Sequence, residues 1–99
     1  MTRAPRTDVT RFVDIPNVGP ATASDFARLG IARPSALVGL DAYALHARLE
    51  ALTGVRQDPC VIDVFLAAID YMSGAPATPW WRYTPIRKAH LAARRSAAG

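Results

Sequence analysis

Apolar positions recur along the chain at helical spacing and are cut apart by proline and glycine. Val9, Phe12 and Val13 fall on one side of a short helix expected from Asp8 to about Asp14, which Thr7 or Asp8 can cap. Pro16 pulls Ile15 out of helical geometry, so Ile15 to Gly19 reads as a tight turn. Pro20 suits the first position of a second helix, running to Leu29 with Ala23, Phe26 and Ala27 inward. Gly30 then supplies a left-handed cap and Ile31 the apolar contact beyond it. Pro34 to Val38 is one connecting turn, closed by Gly39. Asp41 caps a helix with Leu45, Leu49 and Leu52 on its apolar stripe, and Gly54 stops it. Asp58-Pro59 opens the next helix. There Val61, Val64, Phe65, Ala68, Ile69 and Met72 repeat at helical period, Ile62 and Leu66 widen the stripe, and Gly74 ends the run. Ala75 to Pro79 is an extended linker, and Thr84-Pro85 caps a last helix from Ile86 to about Ala98. No alternating pattern of useful length predicts a strand.

The expected fold class is therefore all-α. A faint internal repeat refines it. The turn Ile15-Pro16-Asn17-Val18-Gly19-Pro20 between two helices is echoed by Leu52-Thr53-Gly54-Val55-Arg56-Gln57 between two more, the second longer and lacking the glycine after its valine. A hairpin of two amphipathic helices cannot bury its own apolar face, whereas two such units packed together bury one core. The expected organisation is a flexible basic N-terminus at 1–7, a five-helix core of two packed hairpin units at 8–74 with the second unit degenerate, a Pro/Trp linker packing on the core at 75–83, and a basic C-terminal helix at 84–99.

Charge changes this picture more than composition does. With 51% hydrophobic and 20% charged residues, the chain has the make-up of a folded domain. The net charge of +4 is unevenly spread. Residues 1–11 carry +2, residues 12–81 carry −3, and residues 82–99 carry +5, with Arg82, Arg87, Lys88, Arg94 and Arg95 and no acid. Basic ends around a mildly acidic core suit phosphate binding only where those ends lie beside a phosphate site. No apolar run spans a membrane, the first eight residues lack a secretory pattern, and the single Cys60 cannot pair within the chain. A reducing cytoplasm is the expected setting.

The segment 15–31 resembles the helix-hairpin-helix motif of DNA repair, recombination and ligation proteins. Ile15, Pro16, Val18, Gly19, Pro20 and Ala23 match its pattern, Asn17 stands where its first glycine is usual, and Ala21 where related motifs often carry lysine. The resemblance implies phosphate held on backbone N–H groups around Asn17, Val18, Gly19, Ala21 and Thr22 at a helix N-terminus, a contact that reads no sequence. It also implies a monovalent cation on the carbonyls of Val13, Ile15 and Val18. Arg11, Arg82, Arg87 and Lys88 are the basic residues expected to assist, with Arg3 and Arg6 in reserve. Over 12–83 the chain resembles the pathogenicity-locus family, some of whose members are called mitomycin resistance proteins. The residues carrying this are the first turn, Leu29-Gly30-Ile31, the run from Leu52 to Cys60, and Trp80-Trp81. It is similar, more loosely, to the C-terminal domain of TfoX-type competence regulators. A SAM-like tandem helix-hairpin-helix fold follows from these resemblances.

The remaining chemistry is sparse. Cys60, in the first turn of a helix, is open to activation by the helix dipole but has no neighbouring His in sequence. Trp80-Trp81-Arg82-Tyr83 has the composition to stack on an unpaired base with Arg82 on phosphate, while at least one Trp is expected to fold back and close the core. The carboxylates stand singly at turns and caps, and no nucleophile, base and orienting group come together. The chain reads as a binding module without cofactor or metal rather than an enzyme. The leading expectation is a sequence-independent DNA binder accessory to repair, recombination or uptake. The other is a protein-interaction domain that keeps the fold without binding DNA.

Overall fold

The computed structural model of the protein describes residues 3–98. Its elements are four α-helices, α1 (Pro20–Arg28), α2 (Ala42–Thr53), α3 (Cys60–Met72) and α4 (Thr84–Ala98), with single 3₁₀ turns at Phe12–Asp14, Pro34–Leu37 and Trp80–Tyr83. Among the described residues there is no strand, so the chain is all-α.

The helix starts follow from local chemistry. Asp41 Oδ1 accepts the amides of Tyr43 and Ala44 at 2.8 and 3.2 Å and opens α2. Asp58 Oδ1 accepts the Cys60 amide at 2.8 Å at the head of α3. Gly30 takes φ +79, a left-handed value that a side chain disfavours, and lets the Ile31 amide return to the Phe26 carbonyl.

The core is a chain of aromatic rings wrapped in aliphatic side chains. Phe26 lies between Phe12 and Phe65, with centroids 5.2 and 5.1 Å away and rings tilted by 37° and 34°. Ile15, Leu29, Leu37, Leu49, Ile62 and Met72 close around them. α3 is buried on two sides. It carries the core on one face and the Trp80–Tyr83 turn on another.

Several expectations are corrected. The helix expected from Asp8 to Asp14 is only the 3₁₀ turn Phe12–Asp14. Seven residues rich in β-branched Val9, Thr10 and Val13 are too short and too stiff to nucleate a helix beside a proline-led turn. Ala27 and Leu52 are exposed rather than inward. Leu52 follows the buried Leu49 by three residues, which turns it about 60° off the inward direction of α2. Thr84 is not a capping residue before α4 but its first residue.

The segment expected to be a flexible N-terminus is docked where it is described. The Arg6 amide donates to the Met72 carbonyl at 2.9 Å, and its guanidinium donates to the Tyr71 and Ala75 carbonyls at 2.8 Å each. The guanidinium also sits 3.9 Å over the Tyr71 ring. These are the carbonyls at the C-terminus of α3, where a cation is favoured. Residues 1, 2 and 99 of the two terminal segments lie outside the described residues.

Candidate nucleic-acid interface

The turn between Ile15 and Pro20 is built by one unusual backbone position. Asn17 takes φ +72, and among the described residues it is the one non-glycine with a positive φ. Asn tolerates this region better than most residues, because its short side chain bonds locally. Here the side chain reaches further. Asn17 Nδ2 donates to the Thr78 carbonyl at 2.8 Å, and Asn17 Oδ1 accepts the Trp80 amide at 3.3 Å. The residue that shapes the turn therefore also straps the 75–79 linker against it.

Gly19 ends the turn and begins α1. It gives the helix no side-chain cap, in contrast to Asp41 and Asp58 at α2 and α3. Pro20 has no N–H, so the amides of Ala21 and Thr22 open the helix without an intrahelical acceptor. Gly19 is exposed, and a Cβ built on it meets nothing within 4 Å. An uncapped helix start under open space is a place where an anion can be held.

Of the expected contact residues, Asn17, Gly19 and Ala21 are exposed and Thr22 is half-buried. Val18 is a correction. Its side chain is buried and its amide donates to the Ile15 carbonyl at 3.1 Å, closing the turn from inside. The same bond occupies one lone pair of Ile15, one of the three carbonyls named for a cation.

The basic residues divide. Arg11, Arg82 and Lys88 are exposed. Arg87, expected among them, is 9% exposed and turned to the fully buried Asp63. Arg87 Nε and Nη2 donate to Asp63 Oδ1 and Oδ2 at 3.0 and 3.1 Å, and the Thr84 hydroxyl donates to Asp63 Oδ2 at 2.7 Å. The Asp63 carboxylate holds the Arg87 guanidinium above its already high usual range. This bidentate pair fastens α4 to α3 and is not free for phosphate. Arg6, bound at the end of α3, is withdrawn in the same way.

Trp80 is anchored at Asn17, so Arg82 lies two residues from the turn. Chain geometry puts Lys88 at most about 14 Å along the path from Trp80, and Arg94 and Arg95 roughly 10 Å further out along α4. Acids stand nearby as well. Asp14 is exposed just before the turn, and half-buried Asp25 follows one turn into α1. Burial pushes the Asp25 carboxyl up, against the pull of Arg28.

The Trp80–Tyr83 turn packs on α3, but neither tryptophan is buried. Trp80 is 36% and Trp81 56% exposed. Tyr83 is the aromatic of this segment that turns inward, donating to Asp70 Oδ2 at 2.7 Å. Burial, with the Asp70 hydrogen bond and charge, pushes its hydroxyl up to about 12. Sequence reasoning missed the two anchors of this segment, the buried Asp63 and the half-buried Asp70. Their signal was present, as acids inside the apolar stripe of α3.

The other polar groups among the described residues bond mainly to local backbone. An open depression of about 560 Å³ is lined by His46, Glu50, Arg56, Gln57, Asp58 and Pro59. There His46 Nε2 donates to the Gln57 carbonyl at 3.2 Å and Glu50 accepts the Gln57 amide at 2.8 Å. The Cys60 thiol is pushed up by its hydrogen bond to Asp58 and by burial, the opposite of activation. No three His, Cys, Asp or Glu among the described residues are gathered for a metal ion. Nor is any helix among them long and apolar enough to cross a membrane.

A family model described as a pathogenicity locus matches residues 5–89. The mitomycin resistance protein McrB of Streptomyces lavendulae is 42% identical over 92 residues, which cover 93% of this chain and 85% of that protein. No solved structure matches.

Proposed function

The chain belongs to the pathogenicity-locus family, and on that premise we propose that it is a sequence-independent DNA-binding module of the helix-hairpin-helix kind, accessory to repair, recombination or uptake of DNA. The observation that carries the reading is the uncapped, open start of α1 at Gly19, directly after a turn held by Asn17. A phosphate oxygen accepts N–H bonds around Gly19, Ala21 and Thr22, favoured by the positive end of the α1 dipole. Arg11, Arg82 and Lys88 supply the charge that the mildly acidic core lacks. The carbonyls of Val13, Ile15 and Val18 are the groups proposed for a monovalent cation, that of Ile15 with one lone pair already taken by the Val18 amide. The proposed module is a cytoplasmic binder rather than an enzyme.

The test is fluorescence anisotropy of a labelled 20-base-pair duplex titrated at several salt concentrations. A few phosphate contacts predict binding at about 50 mM salt that weakens linearly in log–log form, with a slope of about 0.9 per phosphate. No binding at that salt contradicts the reading.

One observation favours a second reading, a protein-interaction domain. Leu52 and Val55 are 55% and 59% exposed and, with Arg28 and Thr53, line an open depression of about 570 Å³. Such a patch suits a protein partner. Binding of DNA with normal affinity by Leu52→Ser would leave this patch outside the DNA function.

A further inference from the structure

The Trp80–Tyr83 turn combines a fixed backbone with an exposed Trp81 indole. On its leading side, Asn17 accepts the Trp80 amide at 3.3 Å and holds the Thr78 carbonyl at 2.8 Å. On its trailing side, Tyr83 bonds to Asp70 at 2.7 Å, Thr84 to Asp63 at 2.7 Å, and Arg87 closes on Asp63 in bidentate fashion. Five residues of surface chain are thus tied down at both ends. Yet the side chain between the ties with the largest flat surface, Trp81, stays 56% exposed. An apolar ring held open by a rigid frame loses little conformational entropy when something stacks on it.

What would stack is set by charge. Arg82 sets its guanidinium over one face of the Trp81 ring, 5.4 Å from the ring centre, and no acid occurs after Asp70 in the chain. A ring with a cation over one face fits, on its other face, a flat, apolar group that carries its own negative charge. A nucleobase and its phosphate have that chemistry. The base must be unpaired, because a base inside a duplex offers no free face. The place also fits. Trp81 follows the residue bonded to Asn17, so its backbone lies within roughly 12 Å of the turn.

We propose that Trp81 is a stacking platform for an unpaired base beside the phosphate contacted at Gly19, with Arg82 on the neighbouring phosphate. The preferred DNA is then a junction of duplex and single strand rather than continuous duplex. This rests on the DNA reading above and specifies its substrate.

The experiment compares a labelled 20-base-pair duplex with the same duplex interrupted by a three-nucleotide gap, using the full chain, its Trp81→Ala variant and its Trp81→Phe variant. The wild type is expected to bind the gapped DNA about tenfold more tightly, the order of one base–aromatic stack. Trp81→Ala is expected to lose that preference while keeping its duplex affinity, and Trp81→Phe to keep part of it. Equal wild-type affinity for the two DNAs overturns the platform and leaves the DNA reading intact. Binding to neither overturns both. A loss by Trp81→Ala that is equal on both DNAs overturns the platform in favour of a structural role for the indole. Self-association that disappears in Trp81→Ala, with no gap preference, overturns it in favour of a protein contact.

Discussion

Asn17 donates its side-chain amide to the carbonyl of Thr78 at 2.8 Å, a bond between residues 61 positions apart. It joins the tightest turn of the core to the linker that leads into the C-terminal helix. One residue thereby does two jobs. Its backbone takes the left-handed conformation that the turn needs, and its side chain fixes where the Trp80–Tyr83 segment begins.

Replacing Asn17 separates those jobs. Asn17→Gly keeps the left-handed turn and loses the strap. Asn17→Ala loses the strap and adds backbone strain. We expect Asn17→Ala to be the less stable of the two by about 1 kcal/mol. Urea unfolding of both variants checks the order, and the reverse order would place the strain elsewhere.

The Asp63–Arg87 pair gives the largest expected stability effect. Asp63 is fully buried and satisfied by three side-chain bonds. Removing Arg87 leaves that carboxylate buried and unpaired, so Arg87→Ala is expected to cost about 3–5 kcal/mol. Replacing both residues with apolar ones of similar volume is expected to cost far less, because no charge is then stranded. Chemical denaturation of the single and double variants reads the difference.

Tyr83 predicts an alkaline limit to stability. Burial and the Asp70 bond raise its hydroxyl from the ordinary value of 10 to about 12. Between those values the folded chain keeps a proton that the unfolded chain releases. Stability from this group is therefore fully present below pH 10 and is lost as pH rises to about 12. Tyr83→Phe is expected to flatten that part of the stability–pH curve. An unchanged alkaline slope in Tyr83→Phe would assign the loss to other groups.

Gly74 holds the N-terminal segment in place through its lack of a side chain. At φ +107, a Cβ there would lie 2.5 Å from the Ala4 carbonyl oxygen. Gly74→Ala is expected to push residues 3–6 away and expose the Arg6 bonds to the end of α3. Faster proteolysis near Arg6, with a loss of about 1–3 kcal/mol, is the expected readout.

Much of the fold was legible because its punctuation is chemical and local. Asp41, Asp58, Gly30 and Gly54 act where their residue types say they should. The failures came from tertiary context. Val9, Phe12 and Val13 have helical spacing, yet the short, β-branched segment beside a proline-led turn manages one 3₁₀ turn. Arg87 looked like its exposed neighbours Arg82 and Lys88, and only its partner Asp63 sets it apart. The candidate site was legible at Gly19 and Asn17 as a motif. That Asn17 straps the tryptophan segment was not, since a bond across 61 positions leaves no local mark.

Phosphate held on the backbone at Gly19 is open to a test by two substitutions at that position. Gly19 has φ −98 and open space over its α-carbon, so both Gly19→Ala and Gly19→Glu fit without strain and the fold is expected to survive both. With a labelled duplex at about 50 mM salt, Gly19→Ala is expected to bind nearly as the wild type does and Gly19→Glu to lose at least about tenfold, because its carboxylate competes for the phosphate position. Equal binding by wild type and Gly19→Glu would contradict it.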